Sequence, residues 1–234
     1  MKPSLSIWQI LPLPFLVLPS LFLLWLFLLW LFLLWLFLLW AWPALPARIP
    51  SHFGIGNIGD YTSRDNIWLL TSALPLGTYL MLVTLPRFDP RRLLVADSRS
   101  LHKLTLLLVG GISLLACYSL YLSLHPLHVP GWEMGAGICL FLVLLGSYLT
   151  TVPPNYFLGV RTPWTLESNL VWLKTHRLMG RLFFGAGLAL LALLVLGSLA
   201  WFEPALLVLV LGAVGVGYGY SYWVYRQVAA GRYP

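Results

Sequence analysis

Leu182-Phe-Phe-Gly-Ala-Gly-Leu-Ala-Leu-Leu-Ala-Leu-Leu-Val-Leu-Gly-Ser-Leu-Ala-Trp201 runs for twenty residues without a charge. A helix rises about 1.5 Å per residue, so this run covers about 30 Å, the hydrocarbon thickness of a bilayer. Comparable runs lie at about Ile67 to Pro86, Leu104 to Leu124, Met134 to Val152 and Ala205 to Tyr225, and Leu21 to Trp42 makes a sixth. They are continuously apolar, which reads as helix, because barrel strands alternate in polarity and span only about ten residues. Composition agrees: 60% of residues are hydrophobic and 9% charged, with a mean hydropathy of +0.86. The reading is an all-α, polytopic membrane protein with six transmembrane helices.

The 14 Lys and Arg sort by side. Lys2, then Arg87, Arg91, Arg92, Arg99 and Lys103 in the second connection, Arg161, Lys174, Arg177 and Arg181 in the fourth, and Arg226 and Arg232 in the tail share one face. Arg48 and Arg64 in the first connection take the other. The positive-inside rule then puts both termini in the cytoplasm, and puts the Trp42 to Asn66 loop, the His125 to Trp132 loop and the turn at Glu203-Pro204 outside. The net charge of +7 is mostly this topology signal, and basic residues scattered over short loops do not form a nucleic-acid surface.

Leu21 to Trp40 is Leu-Phe-Leu-Leu-Trp written four times, with Trp25, Trp30, Trp35 and Trp40 five residues apart. Five residues turn a helix by a net 140° or so, so the rings point in different directions and encode no single ridge. Pro12, Pro14 and Pro19 interrupt the apolar sequence before it, which places the helix start at Pro19-Ser20 with Ser20 as cap. The organisation read from these features is an apolar leader (1–20), the repeat span (21–42), an outer loop, second span and basic cytoplasmic loop (43–103), and a four-helix membrane domain (104–234). The leader reads as part of an uncleaved anchor, being far longer than a signal-peptide core.

Two polar stretches break the grease. Leu45-Pro-Ala-Arg-Ile-Pro50-Ser-His52-Phe53 leads through Gly56, Gly59 and Asp60 to Ser63-Arg64. Asn155-Tyr-Phe-Leu-Gly159-Val-Arg161-Thr162-Pro163-Trp164-Thr165-Leu166 is followed by Trp172 and His176. In the second, Val152-Pro153-Pro154 must end a helix, Gly159 permits a tight turn, and Thr162-Pro163 is a cap followed by a favoured first helical residue. A short interfacial helix is predicted from about Pro163 to Lys174, between the fourth and fifth spans, with Arg161 as a fixed cation suited to a lipid phosphate or to backbone carbonyls. Arg161, Trp164 and His176 either pin a turn at headgroup depth or meet a partner.

The second stretch resembles the Sdp immunity (SdpI-like) family, in which an Asn, a Gly-x-Arg-Thr-Pro-Trp-Thr-Leu run and a Trp-x-x-x-His pair recur. The first resembles a domain of unknown function, DUF1648-like, that precedes that family's domain. It departs from the usual Gly-x-Pro-Asp, reading Gly56-Asn-Ile-Gly59-Asp60, and the pentapeptide repeat looks like an addition to the family plan. The resemblance implies an integral-membrane immunity protein guarding its own cell against a secreted, membrane-active peptide toxin at the outer face. It also implies that such a protein holds a cognate transcriptional repressor at the cytoplasmic face. The residues that carry it are Pro50, His52, Phe53 and Asp60, and Asn155, Gly159, Arg161, Thr162, Pro163, Trp164, Thr165, Trp172 and His176.

The rest of the sequence argues by what is missing. All seven acids lie in connections or at span ends, so the mid-membrane carboxylate usual in ion-coupled carriers is not there. No phosphate-binding glycine loop, nucleophile elbow or carboxylate pair is present. The reading is therefore a non-enzyme without cofactor or metal, in contact with membrane lipid and with no direct nucleic-acid partner. The alternative is a membrane enzyme or carrier acting on lipid or peptide at the outer loops, for which His52, Asp60, His125 and His128 argue. His125 and His128 lie in a proline-broken loop without the His-Glu-x-x-His arrangement of a zinc site. His102 and His176 read as helix caps or headgroup contacts, Cys117 and Cys139 as small apolar fillers, and Gly185, Gly187, Gly212, Gly215, Gly217 and Gly219 as close packing between the last two helices.

Overall fold

The computed structural model describes residues 13–54, 57–89, 99–125, 127–128, 131–197 and 199–232. Seven helices dominate: α1 (Leu13–Ala41), α2 (Leu74–Phe88, entered through a wider π turn at Leu69–Ala73), α3 (Arg99–Leu124), α4 (Trp132–Leu149), a short α5 (Pro163–Glu167), α6 (Asn169–Val195) and α7 (Leu199–Ala229). All but α5 lie in runs long and apolar enough to cross a membrane, α2 as part of the longer helical run Arg64–Phe88. The six-span, all-helical architecture with a short helix between the fourth and fifth spans is thus observed.

The helix boundaries differ from those expected at prolines and glycines. Helix α1 runs through Pro19 and Ser20 instead of starting there, since in hydrocarbon a helix that loses one hydrogen bond at proline still satisfies its other backbone groups. Residues 1–12, with Lys2 and Pro12, lie outside the described residues. The last two spans divide at Leu196-Gly197, where Gly197 has φ +77°, so Glu203 and Pro204 fall within α7 and not in a turn. A left-handed glycine ends a helix more decisively than a proline near its N-terminus, where few hydrogen bonds are at stake. The short helix also stops early: Ser168 is extended, accepts a bond from the Val171 amide and starts α6, so Asn169 to Lys174 belong to the fifth span.

One element departs from an all-helical reading. Within the first connection, β1 (Arg48–Gly54) and β2 (Asn57–Ser63) pair antiparallel, Arg48 opposite Ser63 and Ile49 opposite Thr62. The pairing is irregular around Pro50 and His52, as expected where proline offers no N–H to the ladder. Ile49 is fully buried with Leu34 and Leu38 of α1, Ile67 and Leu120 of α3. The Ser119 hydroxyl donates to the Pro50 carbonyl, Arg64 donates to the Leu45 carbonyl at 3.2 Å, and its guanidinium lies over the Trp42 ring. The hairpin is therefore bolted to the ends of three spans.

The repeat resolves into two faces. Phe27, Leu34, Leu38 and Ala41 are buried, and at about 100° per residue they fall within one sector of the helix about 60° wide. The four tryptophans are all exposed, Trp25 and Trp40 (58% and 75%) more than Trp30 and Trp35 (40% and 46%), because the latter pair flanks that sector. A partner-facing ridge does exist, made of Leu and Phe instead of Trp. Trp35 joins it from the side, its indole N–H donating to Ser72 at 2.6 Å and its ring meeting Trp68 edge-on.

The tightest helix contact is α4 against α6. A Cβ at Gly146 would lie 2.5 Å from the Phe184 nitrogen, one at Gly180 2.7 Å from the Gly146 carbonyl oxygen, and one at Gly187 2.8 Å from the Cys139 carbonyl oxygen. The expected glycine seam between the last two helices is corrected by this: Gly185, Gly212, Gly215 and Gly219 meet nothing within 4 Å, and only Gly217 faces a neighbour, the Met179 side chain of α6. Small residues let the fourth and fifth spans approach to backbone contact, where dispersion replaces the missing hydrophobic drive.

Candidate functional site

The second polar stretch folds into a turn of residues 150–168 across the end of α4 and α6. Asn155 is its organiser. Its side-chain oxygen accepts from the Phe157 and Leu158 amides (2.8 and 2.6 Å), and its Nδ2 donates to the Pro153 and Leu158 carbonyls (2.8 and 3.2 Å). These carbonyls and amides are what Pro153-Pro154 leaves without helical partners. Buried at 3% exposure, Asn155 fills all four of its hydrogen-bonding positions.

Trp172 and His176, one turn apart on α6, form the floor. Both are buried, their rings stack at 4.1 Å, and the Trp172 indole donates to the Val152 carbonyl at 3.0 Å. His176 accepts the Val160 amide at Nε2 (2.9 Å), so its proton sits on Nδ1, which donates to the Trp172 carbonyl at 2.9 Å. This pattern assigns a neutral imidazole. Gly159, at φ +102°, passes over the ring so closely that a Cβ there would collide with His176 Nε2. The glycine and the histidine are complementary halves of one contact. His176 is thus a wedge under the turn, and not the helix cap or headgroup contact read from the sequence.

Thr162 and Thr165 close the other end reciprocally. The Thr165 amide donates to Thr162 Oγ1 (3.2 Å), the Thr162 amide to Thr165 Oγ1 (2.9 Å), and Thr165 Oγ1 donates onward to the Val160 carbonyl (2.9 Å). Pro163 occupies the first helical turn, as expected. Trp164 lies against Tyr218 and Tyr222 of α7 (5.2 and 4.9 Å), tying the turn to the sixth span. Arg161 is exposed and reaches the Tyr156 carbonyl at 2.7 Å, a contact that uses only part of its five-donor guanidinium.

The first polar stretch is elsewhere. Pro50, His52, Phe53 and Asp60 lie on the hairpin at the opposite end of the spans, with His52 paired across from Asp60. His52 is exposed, its ring near the Ser51 hydroxyl, and Asp60 accepts from the Tyr61 amide at 2.7 Å. His125 bonds the Tyr121 carbonyl, and His128 lies 3.3 Å from the Glu133 carboxylate. Among the described residues no three His, Cys, Asp or Glu group as metal ligands would.

The fold and this turn define a six-span helical membrane protein whose 150–168 turn is satisfied largely by its own side chains and by those of Trp172 and His176 beneath it. The model of the SdpI/YfhL protein family matches residues 151–221, the turn with α6 and most of α7, and that of the domain of unknown function DUF1648 matches residues 21–74. The resemblance to the SdpI/YfhL protein family read from the second polar stretch thus holds over residues 151–221. The second match begins with the repeat, so the pentapeptides occupy that region's first span and are not an addition ahead of it. The chain is 27% identical over 146 residues to the Immunity protein SdpI of Bacillus subtilis (strain 168), covering 60% of this chain and 70% of the relative. No solved structure matches the chain.

Proposed function

We propose that this is an immunity-type protein of the bacterial cell membrane, protecting its cell against a secreted membrane-active peptide. The similarity to an immunity protein supports this reading, and the carrying observation is the turn itself. Its polar side chains close on its own backbone, leaving a rigid surface with Arg161, Glu167, Arg177 and Arg181 exposed. Such a surface is suited to being bound, and this reading gives it no catalytic role. The 12-to-2 charge asymmetry supports a cytoplasmic position for the turn and both termini, where the turn would hold a cognate transcriptional repressor. The hairpin end and the outer halves of the spans would meet the toxin, and residues 104–234 would act as one membrane unit behind the hairpin and the first two spans.

The test is expression in a susceptible bacterium challenged with a secreted membrane-active peptide encoded beside this gene. Survival should rise with the wild-type chain. Arg161→Ala should leave survival intact while reducing recruitment of a fluorescent repressor to the membrane, since the exposed guanidinium lies on the cytoplasmic side. Equal killing of expressing and non-expressing cells would remove the immunity reading and leave the family assignment standing.

A further inference from the structure

A groove of about 460 Å³ opens between the first three spans. Leu26 and Trp30 of α1 form one wall, Tyr79 and Val83 of α2 the other, and the α3 face from Leu101 to Leu114 the back. Its lining is apolar apart from a few groups, and of these Thr105 returns its hydroxyl to the Leu101 carbonyl at 2.9 Å. The fourteen residues of α3 from Leu101 to Leu114 measure about 20 Å, enough to cover one leaflet of a hydrocarbon layer about 30 Å thick. The floor is Gly110, where a Cβ would meet nothing within 4 Å.

Charge is concentrated at one end. Arg87 at the close of α2 and Lys103 near the start of α3 are both exposed. The other end of the groove stops near Ser113 and Leu114, about midway along α3. The site is thus one leaflet long, apolar along its length and basic at its mouth. We propose that it holds a single acyl chain of an anionic phospholipid from the leaflet on the basic side, with the phosphate at Arg87 and Lys103. Juxtamembrane basic residues attract anionic headgroups, and the narrow apolar slot suits a chain better than a helix, whose diameter is about 10 Å. The proposal is independent of the immunity reading.

Native mass spectrometry of the full-length protein, delipidated and then offered phosphatidylglycerol or phosphatidylcholine, tests it. The wild type and Gly215→Leu, which adds bulk at an exposed glycine of α7 with open space around it, should each retain one lipid, with phosphatidylglycerol favoured. Gly110→Leu should fill the floor and lower retention about tenfold, equivalent to about 1.4 kcal/mol. Val83→Phe, which narrows the opposite wall, serves if Gly110→Leu does not purify. Arg87→Gln with Lys103→Gln should abolish the preference for phosphatidylglycerol while a chain is still retained. Equal retention by wild type and both groove variants would overturn the proposal. So would retention of free palmitate in place of phospholipid, or loss of binding of an apolar helical peptide, but not of lipid, in Gly110→Leu.

Discussion

Gly159→Ala should unseat the turn, with a loss of about 3 kcal/mol or more, read as a fall in the midpoint of thermal unfolding followed by tryptophan fluorescence in detergent. The left-handed backbone at Gly159 (φ +102°) costs a residue with a side chain about 1–2 kcal/mol. The new methyl also strikes His176 Nε2, and displacing that ring leaves the half-buried Val160 amide without its acceptor, about 1 kcal/mol or more in addition. His176→Ala removes the obstacle along with the acceptor. In that background Gly159→Ala should cost only the backbone strain, so the double-mutant cycle should be non-additive by about 1–3 kcal/mol. Additive losses would show that the glycine and histidine are not coupled as described.

The second large effect is expected at the seam of α4 and α6. Gly146→Ala and Gly180→Ala place a methyl 2.5–2.7 Å from backbone atoms of the opposing helix. Backbone cannot step aside as a side chain tip can, so the helices must separate, at a cost of about 1–3 kcal/mol per substitution. Gly185→Ala and Gly215→Ala, with nothing within 4 Å, should be neutral or stabilising by up to about 1 kcal/mol, because alanine is the better helix former. Equal losses at all four sites would mean that the α4–α6 contact does not set their cost, and equal gains that helix propensity outweighs it.

These contrasts show where the sequence was legible. The six spans could be read directly, because a helix in hydrocarbon needs a continuous apolar run, and a count of charge-free residues detects it. Their ends could not: α7 begins four residues before the Glu203-Pro204 pair that looked like its entrance, and Gly197, the residue that ends the preceding helix, is one glycine among twenty. The hairpin was hidden for a different reason. Its strands hold Pro50, His52, Gly59 and Asp60, poor strand formers, and the pairing is sustained by Ile49 packing onto spans far along the chain. Which glycines touch a partner was equally invisible, since Gly185 and Gly187 are alike in sequence and opposite in environment.

In the candidate site the residue list was legible and the roles were not. The capping role of Thr162 and the position of Pro163 follow from local chemistry, and both are observed. The contact of Gly159 with His176 spans seventeen positions and depends on a turn bringing backbone over a ring, which no spacing rule encodes. Asn155 was legible as a loop residue, and its four simultaneous bonds were not.

The proposed topology has the turn of residues 150–168 facing the cytoplasm and the His125 loop facing the outside. Impermeant maleimide labelling of single-cysteine variants tests this most directly, with Cys117 and Cys139 replaced by alanine. Leu127 is 96% exposed and Glu167 is also exposed. Leu127→Cys should label in intact cells and Glu167→Cys only after permeabilisation. Labelling of Glu167→Cys in intact cells, with Leu127→Cys protected until the membrane is opened, would invert the assignment of faces and contradict the account.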